Sequence, residues 1–141
     1  MESGFNQDNA KNMRYECDRI LRSYRAMNDV LLSARSYGRN FGDEETLDEA
    51  AMRAQMYAMR SAILEVEDSR ERLFLYHYYI KGHTLENCAK ILGVSRRSIF
   101  RLKVRALNNI ASKIKSIFLL NIISLLILFS IIFSKVRMFI R

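Results

Sequence analysis

At 141 residues the chain has room for one domain, or for a small domain with appendages, and half of its residues are hydrophobic, enough for a compact core. It has no proline and five glycines, while Ala, Leu, Arg, Glu and Met abound, which argues against a strand-rich fold and predicts an all-α one. The net charge of +8 is unevenly placed. Residues 1–69 hold 9 Lys/Arg against 13 Asp/Glu, residues 70–116 hold 11 against 2, and residues 117–141 hold 3 with no acid. A basic middle beside an acidic start points to a polyanion partner for the middle alone, a solvated basic face being the other reading. Cys17 and Cys88 lie far apart in sequence with no C-x-x-C spacing, so both are expected as reduced core residues rather than a disulfide or metal site. The first thirty residues are polar and charged and do not read as a signal sequence.

Residues 1–68 read as two helices forming an N-terminal helical hairpin or short coiled coil, an interaction or dimerisation segment. Met13, Cys17, Ile20, Tyr24, Met27 and Leu31 alternate at spacings of four and three, which keeps one apolar stripe on one helical face. Gly38 and Gly42 bracket a polar linker, and Asp43, Glu44, Glu45, Asp48 and Glu49 read as a charge cluster at a helix start rather than a metal site. Thr46 and Glu49 form the two ends of a capping box. The second helix repeats the seam at Met52, Met56, Met59, Ile63 and Val66. Two such short seams should pair with each other, with the next domain, or across a homodimer.

Residues 69–116 form the basic helical unit. Ser69 is a candidate cap for a helix ended by Gly82, and its aromatic and apolar coverage predicts burial beneath the two helices that follow. Thr84 is expected to cap 85–91, and Ser95 a helix from Arg96 to about Ser112. Ala89 is small where two helices would cross, and Gly93 turns the chain where a left-handed backbone is cheap only without a Cβ. Cys88, Leu92, Val94, Ile99 and Leu102 are the apolar positions that would hold the pair together. This order fits a helix-turn-helix over 84–107, with the second helix entering the major groove. Arg96, Arg97 and Arg101 are the candidates for base edges, since Arg can donate two hydrogen bonds to guanine O6 and N7. Phe100 either touches a thymine methyl or packs on the preceding helix. Thr84, Lys90, Ser95, Lys103 and Arg105 are the candidates for backbone phosphates, which set affinity and register.

From Ile117 to Ser134 the chain runs eighteen residues without a charge, flanked by Lys113 and Lys115 before and Lys135, Arg137 and Arg141 after. As a helix this stretch would span about 27 Å, the thickness of a bilayer's hydrocarbon core. It reads first as a transmembrane helix, followed by a basic tail at 135–141. A buried or oligomer-forming helix, and a non-native tail from a shifted reading frame, are the alternatives. The flanks are basic on both sides and do not orient the span, but a DNA-binding domain places residues 1–116 in the cytoplasm, tethered to its membrane.

Arg70-Glu71-Arg72-Leu73-Phe74, the run from Tyr79 to Glu86, Ala89, Leu92-Gly93-Val94-Ser95 and Arg105-Ala106-Leu107 together resemble region 4 of the sigma-70 family factors, over about 70–112. The resemblance implies a domain that recognises the promoter −35 element, with the positions of Arg96, Arg97 and Arg101 facing the bases. Housekeeping factors carry an acid where this chain has Arg97, which reverses a charge in the groove. Residues 1–69 are too short for a typical region 2 and contain no tryptophan. The arrangement is therefore similar to phage ArpU/RinA-type transcriptional regulators, implying a sequence-specific DNA-binding regulator of phage or mobile-element genes. The alternative is a protein-interaction module that contacts RNA polymerase or another regulator at the membrane and binds DNA weakly.

His77 and His83 have no acid or cysteine at ligand spacing, and no phosphate-binding loop, nucleophile elbow or H-E-x-x-H motif is present. Neither a catalytic centre, a metal nor a cofactor is expected.

Overall fold

The computed structural model describes residues 2–38 and 45–140, all of them in helices or short connections. The helices are α1 (Glu2–Gly38), α2 (Leu47–Leu64), α3 (Ser69–Leu75, continued by a π-helical turn over Tyr76–Ile80), α4 (Leu85–Leu92) and α5 (Arg96–Ile140). The chain is all-α, as composition predicts. The linker expected after Gly38, including Gly42, Asp43 and Glu44, lies outside the described residues, as does Arg141.

Helix starts follow the polar residues that can accept orphan backbone N–H groups. The Thr46 hydroxyl accepts from the Glu49 amide at 3.2 Å, one half of the expected capping box. The start of α3 corrects the sequence expectation by one position. Asp68, not Ser69, is the cap, its Oδ1 accepting from Arg70 at 2.8 Å and from Glu71 at 3.0 Å. A carboxylate receives two amides at once and also complements the positive end of the helix. Those amide bonds, that to Glu71 first, hold the Asp68 carboxyl below its ordinary value.

The two seams pair with each other inside one chain. Tyr24 and Leu31 of α1 pack with Met56 and Met59 of α2, with Met27 and Met52 partly buried beside them. Lower on α1 the buried residues are Cys17 and Leu21, while Ile20 is only partly covered and Met13 is 40% exposed. Along its length α1 meets three neighbours, α2, the π-helical turn and α5. Cys17, Leu21, Ala62, Ile63 and Val66 belong to the same core as Phe74, Leu75, Tyr79, Cys88, Ile99 and Ile110. The N-terminal helices and the basic helices therefore share one hydrophobic interior. Both cysteines are buried and free, and burial, helped by the Asp18 charge, pushes the Cys17 thiol up to about 12.

The largest departure from the sequence reading is α5. A recognition helix ending near Ser112 and a separate apolar helix from Ile117 are one uninterrupted helix of 45 residues. Nothing between Arg96 and Ile140 can break it: the last glycine is Gly93 and the chain has no proline. Its length is about 67 Å at 1.5 Å per residue, and its second half projects beyond the folded body.

Candidate nucleic-acid interface

The turn between α4 and α5 forms as its residues dictate. The Thr84 hydroxyl accepts from the Asn87 amide at 3.2 Å and starts α4. Gly93 ends it at φ +64°, with its own N–H on Lys90 O at 3.3 Å and the Val94 N–H on Ala89 O at 3.0 Å. This pair of bonds is a Schellman motif, which needs the left-handed residue that glycine supplies. The Ser95 hydroxyl accepts from the Ser98 amide at 3.2 Å and opens α5. Cys88 and Ile99 are fully buried where the helices cross, with Ala89 and Leu102 beside them and Leu92 and Val94 partly covered. Each full burial of such an apolar side chain stabilises the pair by about 1.5–3 kcal/mol.

This packing sorts the candidate contact residues. Arg96, Arg97 and Arg101 are exposed and, among the described residues, have no ion pair, hydrogen bond or ring partner. Arg97 and Arg101 are one turn apart on the side of α5 away from Ile99 and Leu102. Arg96 and Phe100 instead line a concavity of about 650 Å³ between α4 and α5, together with Thr84, Ala89, Lys90 and Gly93. Phe100 is 48% exposed there, an apolar edge in a basic hollow. Lys90 is exposed and pairs loosely with Glu86, at 3.4 Å.

Two of the expected phosphate contacts are engaged within the chain. Lys103 is only 19% exposed; its ammonium lies 3.4 Å from Asp18 and 4.9 Å from the centroid of the Tyr78 ring. Arg105 donates from Nε to Glu71 Oε1 at 2.7 Å, and Asn109 donates to Glu71 Oε2 at 2.8 Å. Glu71 is 2% exposed, the one buried charged residue among those described. Burying a carboxylate is costly unless both oxygens are satisfied, and α5 supplies both donors. The pair fixes the rotation of α5 on α3, and with it the direction in which Arg97 and Arg101 point.

A second polar latch ties α5 to α1. Asp18 accepts from the Tyr79 hydroxyl in a short hydrogen bond and from Arg22 Nε at 2.7 Å, with Lys103 close by. Burial alone would raise the Asp18 carboxyl, but the bonds from Tyr79 and Arg22 and the Lys103 charge outweigh it and hold it below the ordinary value. Burial and the bond to Asp18 push the Tyr79 phenol far up. The π-helical turn, closed by Lys81 N–H on Tyr76 O at 3.0 Å, brings both Tyr78 and Tyr79 against α1, where Arg22 donates to the Tyr78 hydroxyl at 3.1 Å. The sequence does not announce Asp18, Glu71 or Asn109, whose hydrogen bonds between helices join residues 34 to 61 positions apart. The one available signal is that Glu71 and Glu86 are the only acids in the basic stretch 70–116.

No group of three or more His, Cys, Asp or Glu among the described residues could hold a metal ion.

Residues 64–111 match the family model described as Sigma-70, region 4. The match covers about a third of the chain and contains the whole turn between α4 and α5 together with α3. This stretch is a sigma-70 region 4-like helix-turn-helix domain, and it supports a role in DNA-binding regulation. No curated protein and no solved structure matches the chain.

Proposed function

We propose that the chain is a sequence-specific DNA-binding transcription regulator that reads the major groove with the first turns of α5 and is held at a membrane by the second half of the same helix. The observation that carries the DNA reading is the sorting of cations on α5. Arg96, Arg97 and Arg101 are exposed and unpaired among the described residues, while Lys103 and Arg105 are spent on internal acids. Free guanidinium groups at the start of a helix-turn-helix recognition helix suit guanine O6 and N7, each such pair being worth about 1–3 kcal/mol of discrimination. Phe100 and Arg96 take the groove edge, and Thr84, Lys90 and Ser95 the phosphates. Within the sigma-like class, the helical pair α1 and α2 packed on the region 4-like domain favours the phage ArpU/RinA type of regulator.

The membrane reading is supported by the 18-residue apolar window of α5, which has a mean hydropathy of 2.7 and is not buried within the chain. Covering it with lipid removes what would otherwise be a large apolar surface in water, and cations flank it on both sides.

The test is a footprint on genomic fragments. The full chain is expected to protect a discrete site, and the double change Arg96→Ala/Arg97→Ala to lose it; an unchanged footprint in the double variant sinks the assignment. A second reading takes RNA polymerase as the main partner, and the reversed charge at Arg97 favours it, since the usual promoter sequence would then be poorly read. Polymerase capture that survives the double arginine change, with no footprint for the wild type, would establish that reading instead.

A further inference from the structure

We infer that α1 extends the DNA face with a phosphate-binding cleft centred on Arg25, a contact that lies outside the sigma-like domain. The inference rests on the DNA-binding reading above. A hollow of about 360 Å³ opens where α1 crosses the connection between the π-helical turn and α4, and Arg22, Arg25, His83 and Thr84 line it. Thr84 also lines the concavity between α4 and α5 that holds Arg96 and Phe100. The two hollows therefore meet at one residue, and a duplex lying across the second reaches the first with its flanking backbone.

Arg25 is placed for this contact by its surroundings. Its guanidinium lies against the Cα of Gly82, whose backbone φ is +74°. A Cβ on residue 82 would fall 2.4 Å from Arg25 Cζ and 2.5 Å from its Nε, so the guanidinium occupies its present place because residue 82 has no side chain. Arg25 is exposed and has no ion pair or hydrogen bond among the described residues. Arg22, beside it, is committed to Asp18 at 2.7 Å and to the Tyr78 hydroxyl at 3.1 Å. Asp18 is shared in turn by Tyr79 and Lys103, and no acid lines the cleft. The free charge is thus one guanidinium, and its complement is one phosphate. A contact of this kind strengthens binding to any sequence and adds about one released counterion.

The test uses the full chain in detergent micelles, with a labelled duplex carrying its footprint site and a second of random sequence, titrated between about 50 and 200 mM salt. Arg25→Gln is expected to weaken binding to both duplexes by the same factor, about three- to tenfold, and to flatten the slope of log affinity against log salt by about one. Arg25→Lys is expected to restore the slope. Arg97→Ala, in contrast, should narrow the ratio between the two duplexes. Wild-type affinity and slope in Arg25→Gln, with the site still discriminated, would overturn the cleft and leave the helix-turn-helix reading standing. A loss that Arg25→Lys does not rescue, or one confined to the specific duplex, would also overturn it. Failure of the wild-type chain to bind either duplex would remove both readings.

Discussion

Between Ile99 and Ile114, seven residues of α5 are buried against the rest of the fold, whereas from Leu119 to Ile140 every side chain is exposed. The backbone is the same helix throughout, so the difference lies in how apolar residues are distributed around it. In the first half they form a stripe, with Arg97 and Arg101 on the opposite side and Arg105 at its margin against Glu71. In the second half they cover the whole circumference. A stripe asks for a protein partner on one side and water on the other; an all-round apolar surface asks for an apolar solvent. One rigid element thus carries both proposed contacts, with DNA at its start and lipid at its end.

The strongest way to break this comparison is to separate the halves. Truncation after Ser116 is expected to move the protein from the membrane fraction to the soluble one completely, with the DNA footprint retained. Full-length protein in the soluble fraction would remove the anchor.

Next in size is the contrast between packed and unpacked isoleucines. Ile110→Ala empties a fully buried position and should cost about 2–5 kcal/mol in denaturant unfolding. Ile127→Ala, at an exposed position of the second half, should leave the stability of the folded body unchanged within about 0.5 kcal/mol.

Arg101 and Arg105, one turn apart, sharpen the comparison inside the first half. Arg105→Ala leaves Glu71 buried with Asn109 alone and should destabilise the fold by about 2–3 kcal/mol, somewhat below the cost of breaking a fully buried pair because Arg105 is itself 60% exposed. Arg101→Ala should leave melting unchanged but weaken specific DNA binding by about 1–3 kcal/mol. Equal effects of the two changes on melting would contradict the division of labour described for α5.

The smallest expected effect concerns pH. The Asp18 carboxyl is held below its ordinary value, so its contribution is present above the unfolded carboxylate range and is lost as pH falls through the lowered folded value. Denaturant unfolding should therefore show a steeper loss of stability on acidification for wild type than for Asp18→Asn. Parallel pH profiles would show that the latch between α1 and α5 contributes nothing.

Much of the site was legible because it is local. Thr84, Gly93 and Ser95 act on backbone groups within five positions of themselves, so their spacing alone reveals the turn. The helix seams were legible as stripes, though not which surface each would meet. The misplacement of the α3 cap by one residue has the same local origin: Asp68 and Ser69 are both good caps, and only the backbone shows which is outside the helix. The sequence does not show that Lys103 and Arg105 have partners within the chain, because a cation near a recognition helix looks alike whether it is free or paired. Their acids, Asp18 and Glu71, come from α1 and α3.

By itself, the sequence determined the helical class, the turn between α4 and α5, the face of α5 that carries arginines at its start, and the apolar character of its end. Each of these follows from periodicity, caps and the rare glycines, all of which act over a few residues. Tertiary structure decided that the N-terminal helices share the core of the basic ones, that α5 runs unbroken, which cations are neutralised, and that Arg25 of α1 reaches the edge of the helix-turn-helix. These depend on which distant side chains the packing brings within about 3–4 Å, the range at which charged and hydrogen-bonding groups choose their partners.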